Sequence, residues 1–124
     1  MLHAYRPSGG VVRPDEMKHL FRLSASQECN MISKWIALRT IVCFHWNAAY
    51  WIPMFQFRQP GLRLRTDLVP VMATLQPVMG DWEIAQWFCE KNTWLSGKAP
   101  ADLSSHESHA LVSAASALRF AING

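Results

Sequence analysis

Apolar residues recur at helical spacing in several stretches of this chain and run together as strands between them. In the front half, Met17, Leu20 and Phe21 form one stripe, with Leu23 closing it. Pro14 suits a first helical turn, and Asp15 and Glu16 complement its positive end. Ser24-Ala25-Ser26 breaks that helix, and a second is predicted from about Glu28 to Leu38, with Ile32, Trp35 and Ile36 on one face. Residues 41–46 (IVCFHW) and 50–57 (YWIPMFQF) are rich in β-branched and aromatic types and predict a β-hairpin joined by Asn47-Ala48-Ala49. Ile41, Cys43 and His45 would share one face of it, and Val42, Phe44 and Trp46 the other. Both faces are apolar, which predicts cover on both sides or contact with a partner. Pro53 lacks the ladder donor, so the second strand is expected to be an edge or to bend there. Pro60-Gly61 signals a turn within RQPGLRLR.

The back half reads as three helices. Thr66 caps a helix over about 67–78, in which Leu68, Val71, Met72 and Leu75 are apolar at helical spacing and Pro70 is tolerable in the first turn. Pro77 and Gly80 end it. Asp81 is expected to cap the next helix, whose Ile84, Trp87 and Phe88 share a face, and Asn92 to close it in a left-handed conformation. Trp94 and Leu95 place apolar bulk beyond that cap, Gly97 turns the chain, and Pro100 restarts it towards Leu103 and the core, with Asp102 as a helix cap. Ser104 and Glu107 match a capping box for a last helix to about Phe120, with Leu111, Ala115, Leu118 and Ile122 as its buried stripe and an apolar tail from Phe120 to Gly124. The expected fold class is therefore mainly α with one β-hairpin: a small helical domain with a winged-helix-like N-terminal half. The expected division is a flexible leader over 1–13, a helix-turn-helix-like segment with the hairpin over 14–65, and a helical domain over 66–124.

Charge sharpens this division. Residues 1–65 carry nine Lys or Arg against three acids, and residues 66–124 three against six. A basic front is suited to a polyanion such as DNA and equally to a plain solvated face. Lys34, Arg39 and the linker arginines Arg58, Arg63 and Arg65 are the candidate phosphate contacts, the alternative for the linker being a solvated connection. Half the residues are apolar and 17% are charged, which excludes wholesale disorder. No apolar run approaches the roughly 20 residues of a membrane span, and MLHAYRPSGG lacks a signal-peptide core, so no membrane role and a cytoplasmic location are expected. Cys29, Cys43 and Cys89 are odd in number and far apart, which reads as buried free thiols rather than a disulfide framework or zinc pair.

Motifs of catalysis are missing. There is no Gly-rich phosphate loop, no GxSxG and no HExxH. His45 has no second ligand near it, and His106 and His109, three apart, have no third. The expectation is a non-enzyme without cofactor or metal.

The helix bearing Trp87 and Phe88, followed by Asn92, Trp94-Leu95, Gly97 and Pro100-Ala101-Asp102-Leu103, resembles the C-terminal toxin-binding domain (DUF2384-like) of Xre/MbcA/ParS-type antitoxins. The resemblance covers roughly residues 66–124, and the upstream half looks like a reduced helix-turn-helix segment with a wing. It implies an antitoxin that neutralises a RES-type, NAD-degrading toxin through its C-terminal half. Carried onto this chain, the partner-binding residues are Asn92, Trp94, Leu95 and Gly97, with Phe120 and Ile122 of the tail blocking the toxin's cleft. Two alternatives stand beside it: a DNA-binding transcriptional regulator, and a homo-oligomeric helper with no toxin partner whose tryptophans line its own seam.

Overall fold

A computed structural model describes residues 2–24, 26, 28–58 and 61–123. The chain is mainly helical with a small antiparallel sheet. The α-helices are α1 (Pro14–Leu23), α2 (Ile32–Ala37), α3 (Val69–Leu75), α4 (Asp81–Cys89) and α5 (Ser108–Asn123). Strands β1 (Val11–Val12), β2 (Phe44–Trp46) and β3 (Ala49–Pro53) form one sheet in the order β1-β3-β2, and β4 (Phe57–Arg58) pairs with β5 (Arg63–Leu64) in a separate ribbon. Short 3-10 turns precede α2, α3 and α5.

Residues 2–13 of the expected flexible leader are instead built into the fold. Leu2–Ser8 is a 3-10 helix, Tyr5 is fully buried, and the Tyr5 hydroxyl donates to the Ala85 carbonyl of α4. Val11 and Val12 then pair with Pro53 and Ile52. Tyr5 anchors this segment by stacking against both Phe44 and Phe55. With β1 on its open side, β3 is the central strand rather than an edge. Pro53 sits where β3 bends into the Met54–Gln56 turn.

The hairpin itself is tighter than expected. Asn47 and Ala48 both take positive φ, and Trp46 pairs with Ala49, so two residues rather than three make the connection. This is the primed geometry that matches strand twist. The alternation in residues 41–44 does separate two faces. Val42 and Phe44 join the larger core with α3, α4 and α5, whereas Ile41 and Cys43 join a second cluster with Met17, Phe21, Trp35 and Phe57. Residues from both sides of position 65 thus share the larger core. Gln56 is the polar stitch within it: its side chain accepts from Val42 N at 2.7 Å and donates to the Val42 and Pro53 carbonyls at 3.1 and 3.0 Å. Fully satisfied in this way, a buried amide costs little and fixes register.

Several cap assignments shift by one position. Gly80, not Asp81, is the N-cap of α4; Glu83 reaches back to accept from Gly80 N at 3.0 Å, and Asp81 is the first helical residue. The 3-10 turn before α3 starts after Arg65, with Thr66 inside it, and α3 ends at Leu75. Asp102 ends the Pro100–Asp102 turn instead of capping a helix. The Ser104–Glu107 capping box is present, Glu107 accepting from Ser104 N at 3.3 Å. It starts the turn that feeds α5, where Leu111, Ala114 and Ala115 are buried. Ile122 is 50% exposed and Leu23 72%, so neither closes the stripe assigned to it. Ala25 of the Ser24–Ser26 break, Pro60 of the predicted turn and Gly124 of the tail lie outside the described residues. Gly61, next to Pro60, does take a positive φ of 85°.

Candidate functional site

The Asn92–Lys98 loop is tied by its own backbone. Asn92 N donates to Lys98 O at 3.1 Å, while the Asn92 carbonyl accepts from Leu95 N and Gly97 N at 3.0 and 2.9 Å. Asn92 Oδ1 accepts from Trp94 N at 2.9 Å and caps the Thr93–Leu95 turn. Asn92 is therefore extended, with φ −126°, and not the left-handed helix closer that the sequence suggested. Ser96 and Gly97 take the left-handed conformation in its place, with φ 57° and 81°. Glycine meets the second of these at no steric cost.

The loop splits its two apolar residues between opposite environments. Leu95 is buried in the larger core, together with Ala101 and Leu103 downstream. It is an anchor and not a contact residue. Trp94, its neighbour, is 70% exposed. The loop packs against α5, and Lys98 reaches Glu107 at 3.9 Å. At the far end of α5, Phe120 is 80% exposed and flanks a shallow groove with Thr74 and Ser116. No hydrogen bond or ring contact joins Phe120 or Ile122 to the loop, among the described residues.

The five candidate phosphate contacts divide sharply. Arg39, at φ 56°, turns inward: its Nε pairs with Asp81 at 3.0 Å and its Nη2 donates to Met79 O at 2.8 Å. Arg65 is 7% exposed, grips Asp67 with Nε and Nη2 at 3.2 and 2.8 Å, and donates through Nη1 to Leu103 O at 3.2 Å. These two are internal clasps, one tying the end of α2 to α4 and the other tying the linker to the back half. Burial alone would raise the Asp67 carboxyl, but Arg65's hydrogen bonds and charge, with a smaller contribution from Arg58, hold it below the usual carboxylate range. Lys34, Arg58 and Arg63 face solvent. Arg58 and Arg63 are direct partners across the β4–β5 ribbon.

Of the three thiols expected to be buried, Cys43 is buried and Cys29 and Cys89 are only partly so; Cys43 and Cys89 are poorly suited to nucleophilic work. Burial, with the Asp81 charge behind it, pushes Cys43 up to about 11, and burial with the Glu90 charge also raises Cys89. His106 and His109 are exposed, and His45 packs edge-on against Tyr50 at 5.0 Å. No group of three or more His, Cys, Asp or Glu could hold a metal, among the described residues. No helix among them is long and apolar enough to cross a membrane.

One aromatic feature escaped sequence reasoning. Trp46 at the hairpin tip stacks on Trp82 of α4 with centroids 5.2 Å apart, and Trp82 also meets Phe44 edge-on. The hints of it were that Phe44 and Trp46 share a strand face and that Trp46 and Trp82 each fall beside a turn. Comparison with known protein families, with curated proteins and with solved structures finds no match to this chain.

Proposed function

We propose that this protein is a non-catalytic binding module that neutralises a partner protein, with Trp94 as the leading contact. The observation that carries this reading is the exposure of Trp94 on a loop fixed by the Asn92 hydrogen bonds and by buried Leu95. A large apolar side chain held out on an ordered loop loses little conformational freedom on binding, which is the character of an interface hot spot. Phe120 and Ile122 add apolar surface at the end of α5. By its resemblance to Xre/MbcA/ParS-type antitoxins, the partner is a RES-type toxin that degrades NAD, met in the cytoplasm. The binding set then contracts from the sequence expectation: Trp94, Phe120 and Ile122 touch the partner, while Asn92, Leu95 and Gly97 shape the loop.

A regulator reading loses two of its five cations to internal clasps, leaving Lys34, Arg58 and Arg63 for a duplex. The test of the leading reading is co-expression with a RES-type toxin encoded in the same genome. The intact chain is expected to restore growth and cellular NAD, and Trp94→Ala to lose that protection. Unchanged protection by Trp94→Ala would overturn the assignment of Trp94.

A further inference from the structure

A cleft with about 480 Å³ of space lies where four segments meet. These are the end of the N-terminal 3-10 helix, the Met54–Phe57 bend, the β4–β5 ribbon and the turn before α5. Its apolar wall is formed by Met54, Phe57 and Leu62. Its polar groups are Arg58, Arg65 and the hydroxyls of Ser8, Ser104 and Ser105. No acidic residue lines it, among the described residues.

The charges around this cleft are unbalanced. Asp67 is already gripped by both Nε and Nη2 of Arg65, so Arg58 meets it only at 3.6 Å and keeps free donors, with 51% of its side chain exposed. Arg63 stands directly opposite Arg58 in the ribbon. Like charges at paired positions weaken a strand pair. A cleft of this size with an apolar wall and a few convergent polar groups is the usual form of a small-molecule site. A guanidinium fork matches phosphate and carboxylate oxygens alike. The Ser8 hydroxyl already donates to Tyr5 O at 3.1 Å and the Ser104 hydroxyl to Glu107 Oε1 at 3.4 Å, which leaves Ser105 as the seryl donor beside the fork. Arg58, Arg63 and Arg65 against Asp67 leave two positive charges, which a phosphate monoester, at about −2, matches better than a singly charged carboxylate.

We infer that this cleft binds a small phosphate monoester, with the phosphate on Arg58 and the Ser105 hydroxyl and the apolar group on Phe57 and Leu62. The site uses none of Trp94, Phe120 or Ile122, so it stands or falls without the partner-binding reading. Arg65 holds the wall in place through Asp67, Phe55 O and Leu103 O and is a positioning residue.

The test is calorimetric titration of the purified full chain with phenyl phosphate, inorganic phosphate and benzoate. Phenyl phosphate is expected to bind about tenfold more tightly than either of the others, because inorganic phosphate lacks the ring and benzoate carries the smaller charge. Arg58→Met should weaken it by about tenfold or more, with Arg58→Lys recovering part of the loss and the thermal midpoint unchanged. Arg63→Met should weaken it less than Arg58→Met. Equal binding of phenyl phosphate and inorganic phosphate, no binding of either, or full affinity in Arg58→Met would each overturn the proposal.

Discussion

The Oδ1 of Asn92 accepts the backbone N–H of Trp94 at 2.9 Å, while the Asn92 carbonyl holds the N–H groups of Leu95 and Gly97. One residue thereby fixes the turn that displays the indole. Asn92→Ala removes the side-chain cap and leaves the backbone bonds, so it should cost about 1 kcal/mol in urea unfolding. Asn92→Asp keeps the acceptor and should restore most of that. Hydrogen exchange at the Trp94 amide should speed up in Asn92→Ala alone. An unchanged rate there would mean that the cap does not order the loop.

Arg65 and Arg63 are two residues apart and face opposite tasks. Arg65 is buried and serves Asp67 and the carbonyls of Phe55 and Leu103. Arg65→Met strands the Asp67 carboxylate and those carbonyls, and should cost about 3 kcal/mol. Arg63→Met, at an exposed site opposite another arginine, should be neutral or slightly stabilising. Chemical denaturation of the two variants checks this; equal costs would contradict the clasp.

Asp67 also sets a pH dependence. Its carboxyl titrates below its ordinary range in the fold, so the folded chain binds that proton less readily than the unfolded chain. The stability it contributes is complete above the ordinary carboxylate value of about 4 and is lost as pH falls through the lowered folded value. Urea midpoints followed from neutral to acid pH should therefore fall, and should fall less steeply below about pH 4 in Asp67→Asn. Parallel acid slopes for the two proteins would show that Asp67 carries none of it.

How far the sequence reached can be seen in particular residues. The stripe of Leu68, Val71, Met72 and Leu75, the face of Ile84 and Phe88, and the Ser104–Glu107 box are local patterns, and all three are present. The two apolar faces of residues 41–44 do meet two different clusters. What sequence spacing could not carry is long-range pairing. Nothing near Arg39 announces Asp81, and nothing in MLHAYRPSGG announces that Tyr5 packs between Phe44 and Phe55. Arg65 had a local signal in Asp67 two residues on, but the number of arginines around it suggested a phosphate surface. At the candidate site, Trp94 and Leu95 are adjacent and similarly apolar, so only packing could separate anchor from contact. Leu95 lies in the core and Trp94 outside it.

The most direct test of the partner-binding account is the affinity of the purified chain for the proposed RES-type partner, with and without Trp94→Ala, alongside the variant's folding stability. Removing an exposed side chain should change unfolding by no more than about 0.5 kcal/mol. Removing a hot-spot indole should weaken the complex by about 2 kcal/mol or more, some thirtyfold. A thirtyfold loss of affinity on an unchanged fold is the expected result. Wild-type affinity in a folded Trp94→Ala variant would contradict the account.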